Sequence, residues 1–187
     1  RSGKVYRERS FINADIFLNE KLLMNSSYYA SKIPQYWEDI KSGKRVLTSF
    51  YNIRKTLLED IAEFEVEEIY AYNMRFDYLS LNNTERWLTK SQYRYFLTKD
   101  LVICDIMKMA RDVIAPMPTY KKFCEEHGYM TKNNRVQLKA ETVYKFITKD
   151  LDFIESHTGL EDVMIEKEIL AYCYRQHKAM RKKLWEN

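Results

Sequence analysis

Cysteine, proline and glycine are scarce in this chain of 187 residues, which contains three, three and four of them. The cysteines form no CxxC pair and cannot all pair with one another, which favours a reduced, cytoplasmic setting over a disulfide-stabilised secreted one. No apolar run approaches the roughly 20 residues that a membrane span needs, and no signal peptide opens the sequence. We therefore expect a cytoplasmic protein without a membrane partner.

Motifs that bind nucleotide phosphates are also missing, since neither GxxxxGK[ST] nor GxGxxG occurs. The formal net charge of +4 permits a polyanionic partner without requiring one. The chain has 45% hydrophobic residues, with no low-complexity tract and no internal repeat. This composition predicts one globular domain over residues 1–187.

Apolar periodicity predicts strands that alternate with helices. One face of a helix recurs from Phe50 to Phe64, and the period shortens to that of a strand in VEEIYAY, residues 66–72. A helix over about 74–88 follows, and then a second strand candidate, DLVICD, residues 100–105. This alternation predicts a three-layer α/β fold, a mixed sheet covered by helices.

The remainder of the chain is predicted to be mainly helical. The helix IMKMARDVI continues from the second strand, and Pro116 and Pro118 end it. Shorter helices are expected over about 119–127 and 139–153, and a long terminal helix over about 159–183. Residues 4–12 form only a poor strand candidate, because charged residues interrupt it.

Three aspartates stand where strands end or helices begin. Asp77 follows the first strand, Asp105 ends the second, and Asp162 heads an apolar row that includes Ile165 and Ile169. The helix dipole explains many first-turn acids, so a purely structural role is the alternative for Asp77 and Asp162. A carboxylate that faces a core is costly unless it is paired or bound to a metal. The three acids therefore predict a negative pocket for hard divalent cations.

His157 precedes Asp162 by five residues. Imidazole titrates near neutral pH, so this side chain is a candidate to accept the proton of an attacking water. The alternative is a surface histidine close to the start of a helix. Two metals held by carboxylates can bind the attacking and leaving oxygens of a phosphodiester displacement, which is the reaction these residues favour.

Two motifs resemble those of a known enzyme family. The segment YNMRFD, residues 72–77, is similar to the second motif of the DEDDh 3′–5′ exonucleases, and HTGLED, residues 157–162, is similar to their third. Between them, VICDIMKMAR is similar to the intervening strand and helix of that family. The resemblance runs from about residue 46 to residue 174. It implies the ribonuclease H-like fold of ribonuclease T and of the proofreading subunits of bacterial replicases.

The resemblance implies a metal-dependent 3′–5′ exonuclease. Such an enzyme hydrolyses terminal phosphodiesters of single-stranded or frayed DNA or RNA to nucleoside monophosphates. By this resemblance Asp77 and Asp162 bind Mg²⁺ or Mn²⁺ in a two-metal site, and His157 is the general base. Asn73 and Phe76 lie near the 3′-terminal nucleotide by the same resemblance, with Asp105 as a further possible site residue.

One family motif does not occur. The first motif, Asp-x-Glu, is found nowhere in the chain, whereas RSGKVYRERSFI resembles the family's third strand. We therefore expect about two strands, with the missing motif, upstream of residue 1. The alternative is a catalytically silent module that binds nucleic acid or a protein, as in a phage or replication assembly. A purely structural interaction protein is a third class. The oligomeric state, including a homodimer, is left open.

Two patterns near the C terminus have competing interpretations. Five cations between residues 175 and 183 either neutralise phosphates or complement the dipole of the terminal helix. Two cysteine–histidine pairs have helical spacing that suits zinc, although nothing in the sequence brings them together. These pairs are Cys124 with His127 and Cys173 with His177.

Overall fold

The computed structural model describes residues 4–154 and 159–186, which have a mixed α/β structure. The chain divides into two compact units, the N-terminal unit of residues 4–66 and the C-terminal unit that begins at Glu67. The mixed α/β class is confirmed, whereas one domain over the whole chain stays a prediction. Among the helices in the described ranges, none is both long enough and apolar enough to cross a bilayer.

The N-terminal unit is built on two parallel strands. Strand β1 (Phe11–Asn13) pairs with β2 (Val46–Thr48), with Phe11 opposite Val46. Short helices connect the strands: α1 (Ala14–Phe17), α2 (Lys21–Met24), α3 (Ser27–Ala30) and α4 (Ile33–Lys41). Parallel strands need such a crossover connection, because a tight hairpin joins only antiparallel strands.

Helix α5 (Phe50–Glu63) follows β2 and confirms the predicted amphipathic helix. Its start is capped by Ser49, whose Oγ accepts a hydrogen bond from the Asn52 backbone N–H at 3.2 Å. The side chain of Asp15 accepts a second one from the Phe50 backbone N–H at 2.8 Å. Asp15 on α1 and Ser49, which directly follows β2, thus determine where α5 begins.

The strand candidate over residues 4–12 is reduced to Phe11–Asn13. Its charged residues bind α5 instead of forming a ladder, since Arg7 and Arg9 both donate to the Asp60 carboxylate at 2.6 Å. Arg7 also donates to Glu63. These ion pairs hold the segment that precedes β1 against α5, so it is attached by its side chains and not by a strand ladder.

The C-terminal unit contains a β–α–β element that confirms both predicted strands. Strands β3 (Glu68–Ala71) and β4 (Val102–Asp105) are parallel, with Ala71 opposite Asp105 at their carboxyl ends. Helix α6 (Met74–Thr89) follows β3 and confirms the predicted helix. Because the strands are parallel and in register, the residues that follow β3 and the end of β4 lie at the same edge.

Four further helices enclose the core of this unit: α7 (Ile106–Val113), α8 (Pro118–Glu126), α9 (Ala140–Thr148) and α10 (Leu160–Arg175). The largest fully buried side chains include Tyr120, Met109 and Ile114. On α10, Ile165, Ile169 and Cys173 are buried, so the apolar row predicted behind Asp162 is confirmed.

The terminal helix is shorter than predicted, because it ends at Arg175 and not near residue 183. His177 has a left-handed backbone with φ 51°, which the helix cannot continue through. The chain then runs along the free edge of β4, where Lys183 forms an antiparallel bridge with Cys104. At this edge the backbone groups of β4, which would otherwise be unpaired, form hydrogen bonds with the segment. The cations of residues 175–183 therefore do not share one helix.

Candidate active site

Asp105 lies at the centre of the carboxyl edge formed by β3 and β4. It ends β4 and is only 4% exposed. Its Oδ1 accepts hydrogen bonds from the backbone N–H of Met107 at 2.9 Å and of Asn73 at 3.2 Å. Asp105 therefore caps α7 and also holds the start of α6, which gives this predicted site residue a structural function.

Asp77 is half-buried in the first turn of α6, directly after β3. Its pKa is raised mainly by burial, which outweighs the lowering effect of a hydrogen bond from its own backbone N–H; the negative charges of Asp105 and Asp162 add smaller increases. Like charges raise a carboxyl pKa only when they lie near it and are poorly screened. The fold thus brings the three predicted acids into one electrostatic neighbourhood.

Asp162 lies in the first turn of α10 and is held from one side. Its Oδ2 accepts a hydrogen bond from the Gly159 backbone N–H at 3.0 Å, as expected of an acid at a helix start. Its Oδ1 is buried and has no hydrogen-bond partner within the described part of the chain. A buried polar atom without a partner is costly and requires an explanation.

The Oδ1 atom of Asp162, which has no partner among the described residues, bears on whether these residues suit a metal ion. Mg²⁺ and Mn²⁺ prefer oxygen ligands, and a buried carboxylate oxygen in a field of further carboxylates is a suitable donor. Within residues 4–154 and 159–186, no three His, Cys, Asp or Glu side chains form a group that could hold a metal ion. That Asp77 and Asp162 bind a shared cation therefore remains a prediction. The carboxylate oxygen of Asp162 is a suitable ligand for such a cation.

Asn73 and Phe76 lie at the exposed start of α6. Asn73 is the N-cap and has a left-handed backbone with φ 61°, a conformation that asparagine tolerates better than most residues. Phe76 is 68% exposed, so its ring is available to a ligand and contributes little to the core. Their predicted contacts with a 3′-terminal nucleotide stay predictions. The left-handed N-cap is a structural reason for Asn73 that sequence reasoning did not find.

His157, the predicted general base, lies outside the described residues. So do its neighbours Glu155, Ser156 and Thr158. The nearest described residue on the C-terminal side is Gly159, whose φ of 80° belongs to the left-handed region. The role of His157 stays a prediction.

The cysteine–histidine pairs do not form a zinc site among the described residues. Cys124 and Cys173 are both buried and unoxidised in the core of the C-terminal unit. Burial raises the pKa of the Cys173 thiol to about 12, which keeps the free thiol protonated at neutral pH. His177 lies beyond the end of α10, so it does not share a helix face with Cys173.

Comparison with known proteins identified no relative of this chain. No model of a protein family, no curated protein and no solved structure matches the chain. The site consists of three carboxylates: Asp105 at the end of β4, and Asp77 and Asp162 in the first turns of α6 and α10.

Proposed function

We propose that this protein is a metal-dependent 3′–5′ exonuclease, and that β3, α6 and β4 belong to a ribonuclease H-like fold. The observation that carries the proposal is the buried Oδ1 of Asp162, which has no hydrogen-bond partner among the described residues and lies in the same electrostatic neighbourhood as Asp77 and Asp105. A bound divalent cation neutralises such a cluster. The motif resemblance of residues 72–77 and 157–162 supplies the reaction, hydrolysis of the terminal phosphodiester.

Asp77 and Asp162 are the residues that hold the cation in this proposal, with Asp105 beside them. When bound, the cation supplies Lewis-acid stabilisation of the negative charge that develops on the phosphodiester. The Gly159 N–H holds Oδ2 of Asp162, which leaves Oδ1 for the cation. Asp105 holds the Asn73 N–H and so determines where α6 presents Asp77.

The remaining roles concern the substrate and the proton. The exposed ring of Phe76 stacks on the terminal base, since base–aromatic stacking tolerates any sequence. Asn73 lies at the same end of α6 and contacts the terminal nucleotide. His157 accepts the proton of the attacking water, a role that suits imidazole because this group can act as a general base near neutral pH. The substrates are 3′ ends of single-stranded or frayed DNA or RNA.

The test is digestion of a 5′-labelled single-stranded oligonucleotide by the complete native protein, including any residues that precede Arg1. We expect a ladder of shortened labelled products with Mg²⁺ or Mn²⁺ and none with EDTA. Asp162→Asn and Asp77→Asn should each slow the reaction by about 100-fold or more, the scale of losing charge stabilisation in a transition state. Glu125→Gln is the matched control, because Glu125 is exposed and its ion pair is with exposed Lys121.

A histidine comparison tests the proposed base. His157→Asn should slow hydrolysis and remove the dependence of rate on pH near neutrality, whereas His177→Asn should behave like the wild type. Asparagine tolerates the left-handed backbone of residue 177, so this control keeps its fold. Equal rates for the wild type, Asp162→Asn and Asp77→Asn would refute the exonuclease. Binding without hydrolysis would favour the catalytically silent module instead.

A further inference from the structure

The second half of α6 and the segment after it expose aromatic rings beside cations. Trp87 is 57% exposed and Tyr93 is 89% exposed, although large aromatic side chains are usually mostly buried. In the sequence this stretch reads RWLTKSQYRY, in which rings and cations are interleaved. We define the stacking surface as the residues that share this property: Arg86, Trp87, Lys90, Tyr93, Arg94 and Tyr95.

Cation–π contacts organise the stacking surface. The Lys90 ammonium lies 4.1 Å from the centroid of the Trp87 ring, and the Arg86 guanidinium lies 5.0 Å from that of Tyr95. Contacts at these distances are attractive. Each pair therefore places an aromatic ring and a positive charge at the same position on the surface.

The positive charge of the stacking surface is not neutralised within the protein. Arg86, Lys90 and Arg94 form no ion pair with a carboxylate of the described residues, and the hydrogen bond of Arg86 goes to a backbone carbonyl at 3.4 Å. Elsewhere in the C-terminal unit, cations such as Arg181 and Lys145 are paired at 2.7 Å. The stacking surface thus has charge available for a polyanion.

A groove of about 880 Å³ adjoins the stacking surface and shares Tyr95 with it. Its walls include Tyr78 and Trp185, whose ring centroids are 5.6 Å apart in an edge-to-face arrangement. Lys99 and Lys183 also line it. Among the described residues of the lining, the one acid is Glu186, whose Oε2 accepts hydrogen bonds from the backbone N–H groups of Lys182 and Lys183. Tyr78 directly follows Asp77 on α6, so the same helix carries one wall of the groove and one of the three acids.

We propose that the stacking surface and this groove bind single-stranded nucleic acid away from the three carboxylates. Trp87 is ten residues from Asp77 on one helix, a separation of about 15 Å at 1.5 Å per residue, so the two positions contact different nucleotides. Bases of a single strand offer free faces for stacking, and interleaved cations neutralise its phosphates. The proposal extends the proposed function, because it names the region that holds the strand beyond its terminus.

The test measures binding without hydrolysis. Fluorescence anisotropy of a labelled oligothymidylate is recorded in EDTA with the complete native protein. Trp87→Ala and Tyr93→Ala should each raise the Kd by about tenfold, the effect of losing one stacked base. Tyr51→Ala is the matched control, since this ring is 72% exposed but lies on α5 in the N-terminal unit. The replaced rings are exposed, so thermal melting should be unchanged in all three variants.

The dependence of binding on salt provides a second, independent measurement. Lys90→Gln and Arg94→Gln should each reduce the slope of log K against log salt concentration by about 0.7, the value for one phosphate contact to a single strand. Lys121→Gln, which replaces an exposed cation on α8, should leave the slope unchanged. A slope that is the same in all variants would overturn the proposal.

The outcomes separate this proposal from the exonuclease. Glu125→Gln, which lies outside both sites, should bind the oligothymidylate in EDTA as the wild type does. If the ring variants weaken binding but no variant hydrolyses DNA or RNA, the stacking surface stands and the exonuclease fails. If hydrolysis occurs but Trp87→Ala and Tyr93→Ala bind like the wild type, the stacking surface is refuted. Loss of self-association in these variants, with unchanged binding, would also refute it.

Discussion

The backbone N–H of Asn73 donates a hydrogen bond to Oδ1 of Asp105 at 3.2 Å, which joins the start of α6 to the end of β4. The same oxygen accepts the backbone N–H of Met107 at 2.9 Å. One buried carboxylate oxygen therefore determines the starts of two helices. Asp77 lies one turn into α6, so its distance from the other acids depends on this oxygen.

Replacing Asp105 tests that relationship. Asp105→Ala should destabilise the protein by about 2 kcal/mol, because two backbone N–H groups lose their acceptor at a site with little water. Asp105→Asn retains an acceptor oxygen and should recover most of that loss. Urea unfolding of the three proteins measures the difference. If alanine and asparagine destabilise equally, the hydrogen bonds to Oδ1 are not what stabilises this edge.

The raised pKa of Asp77 predicts how stability varies with pH. The folded state favours the protonated carboxyl, so the stabilisation from this group is complete below its ordinary pKa of 3.8 and is lost as pH rises through the raised value. Asp77→Asn should therefore have a higher Tm than the wild type at neutral pH, and the two should converge in acid. Thermal melting over this pH range measures it, with Glu125→Gln as the control.

The same variant tests cation binding by a route that needs no activity. Mn²⁺ should raise the Tm of the wild type at neutral pH, because a ligand that binds the folded state stabilises it. In Asp77→Asn and Asp162→Asn the increase should be smaller, since each has lost a ligand. Identical increases in all three proteins would favour the purely structural class over a metal site.

A buried ion pair in the N-terminal unit supports a fourth prediction. Asp39 and Arg45 are 3% and 6% exposed, and Arg45 Nε donates to Asp39 Oδ2 at 2.7 Å, while Gln35 donates to Oδ1 at 2.8 Å. Asp39→Ala should destabilise this unit by about 3 kcal/mol, because it leaves a buried cation unpaired. Hydrogen exchange of the β1 and β2 amides measures the effect in this unit.

The contribution of Asp39 should also depend on pH. The hydrogen bond from Arg45 lowers the pKa of Asp39 below its ordinary 3.8, so the stabilisation is present above that value and is lost as pH falls through the lowered one. The difference between the wild type and Asp39→Ala should thus shrink only in strong acid. Glu59→Ala, which breaks the exposed pair with Lys55, should cost a few tenths of a kcal/mol at most.

Local periodicity predicted α5, β3, α6 and β4 because each of these elements has an apolar pattern of its own. The end of α10 was predicted wrongly for the opposite reason. Residues 176–183 have enough apolar and charged residues to continue a helix, yet the Lys182 carbonyl accepts the Asp105 N–H of β4 and Lys183 bridges Cys104. The free edge of a distant strand competes with the helix, and no local pattern in residues 176–183 contains that information.

The order of residues alone determined where Asp77, Asp105 and Asp162 stand, at strand ends and helix starts, because element boundaries depend on neighbouring residues. Only tertiary structure decided that their charges interact, that Oδ1 of Asp162 is buried without a partner in the described chain, and that Asp105 holds Asn73. Burial and the approach of charges depend on residues far apart in the chain. The same holds for the groove, where Trp185 meets Tyr78 only because the C-terminal segment returns to β4.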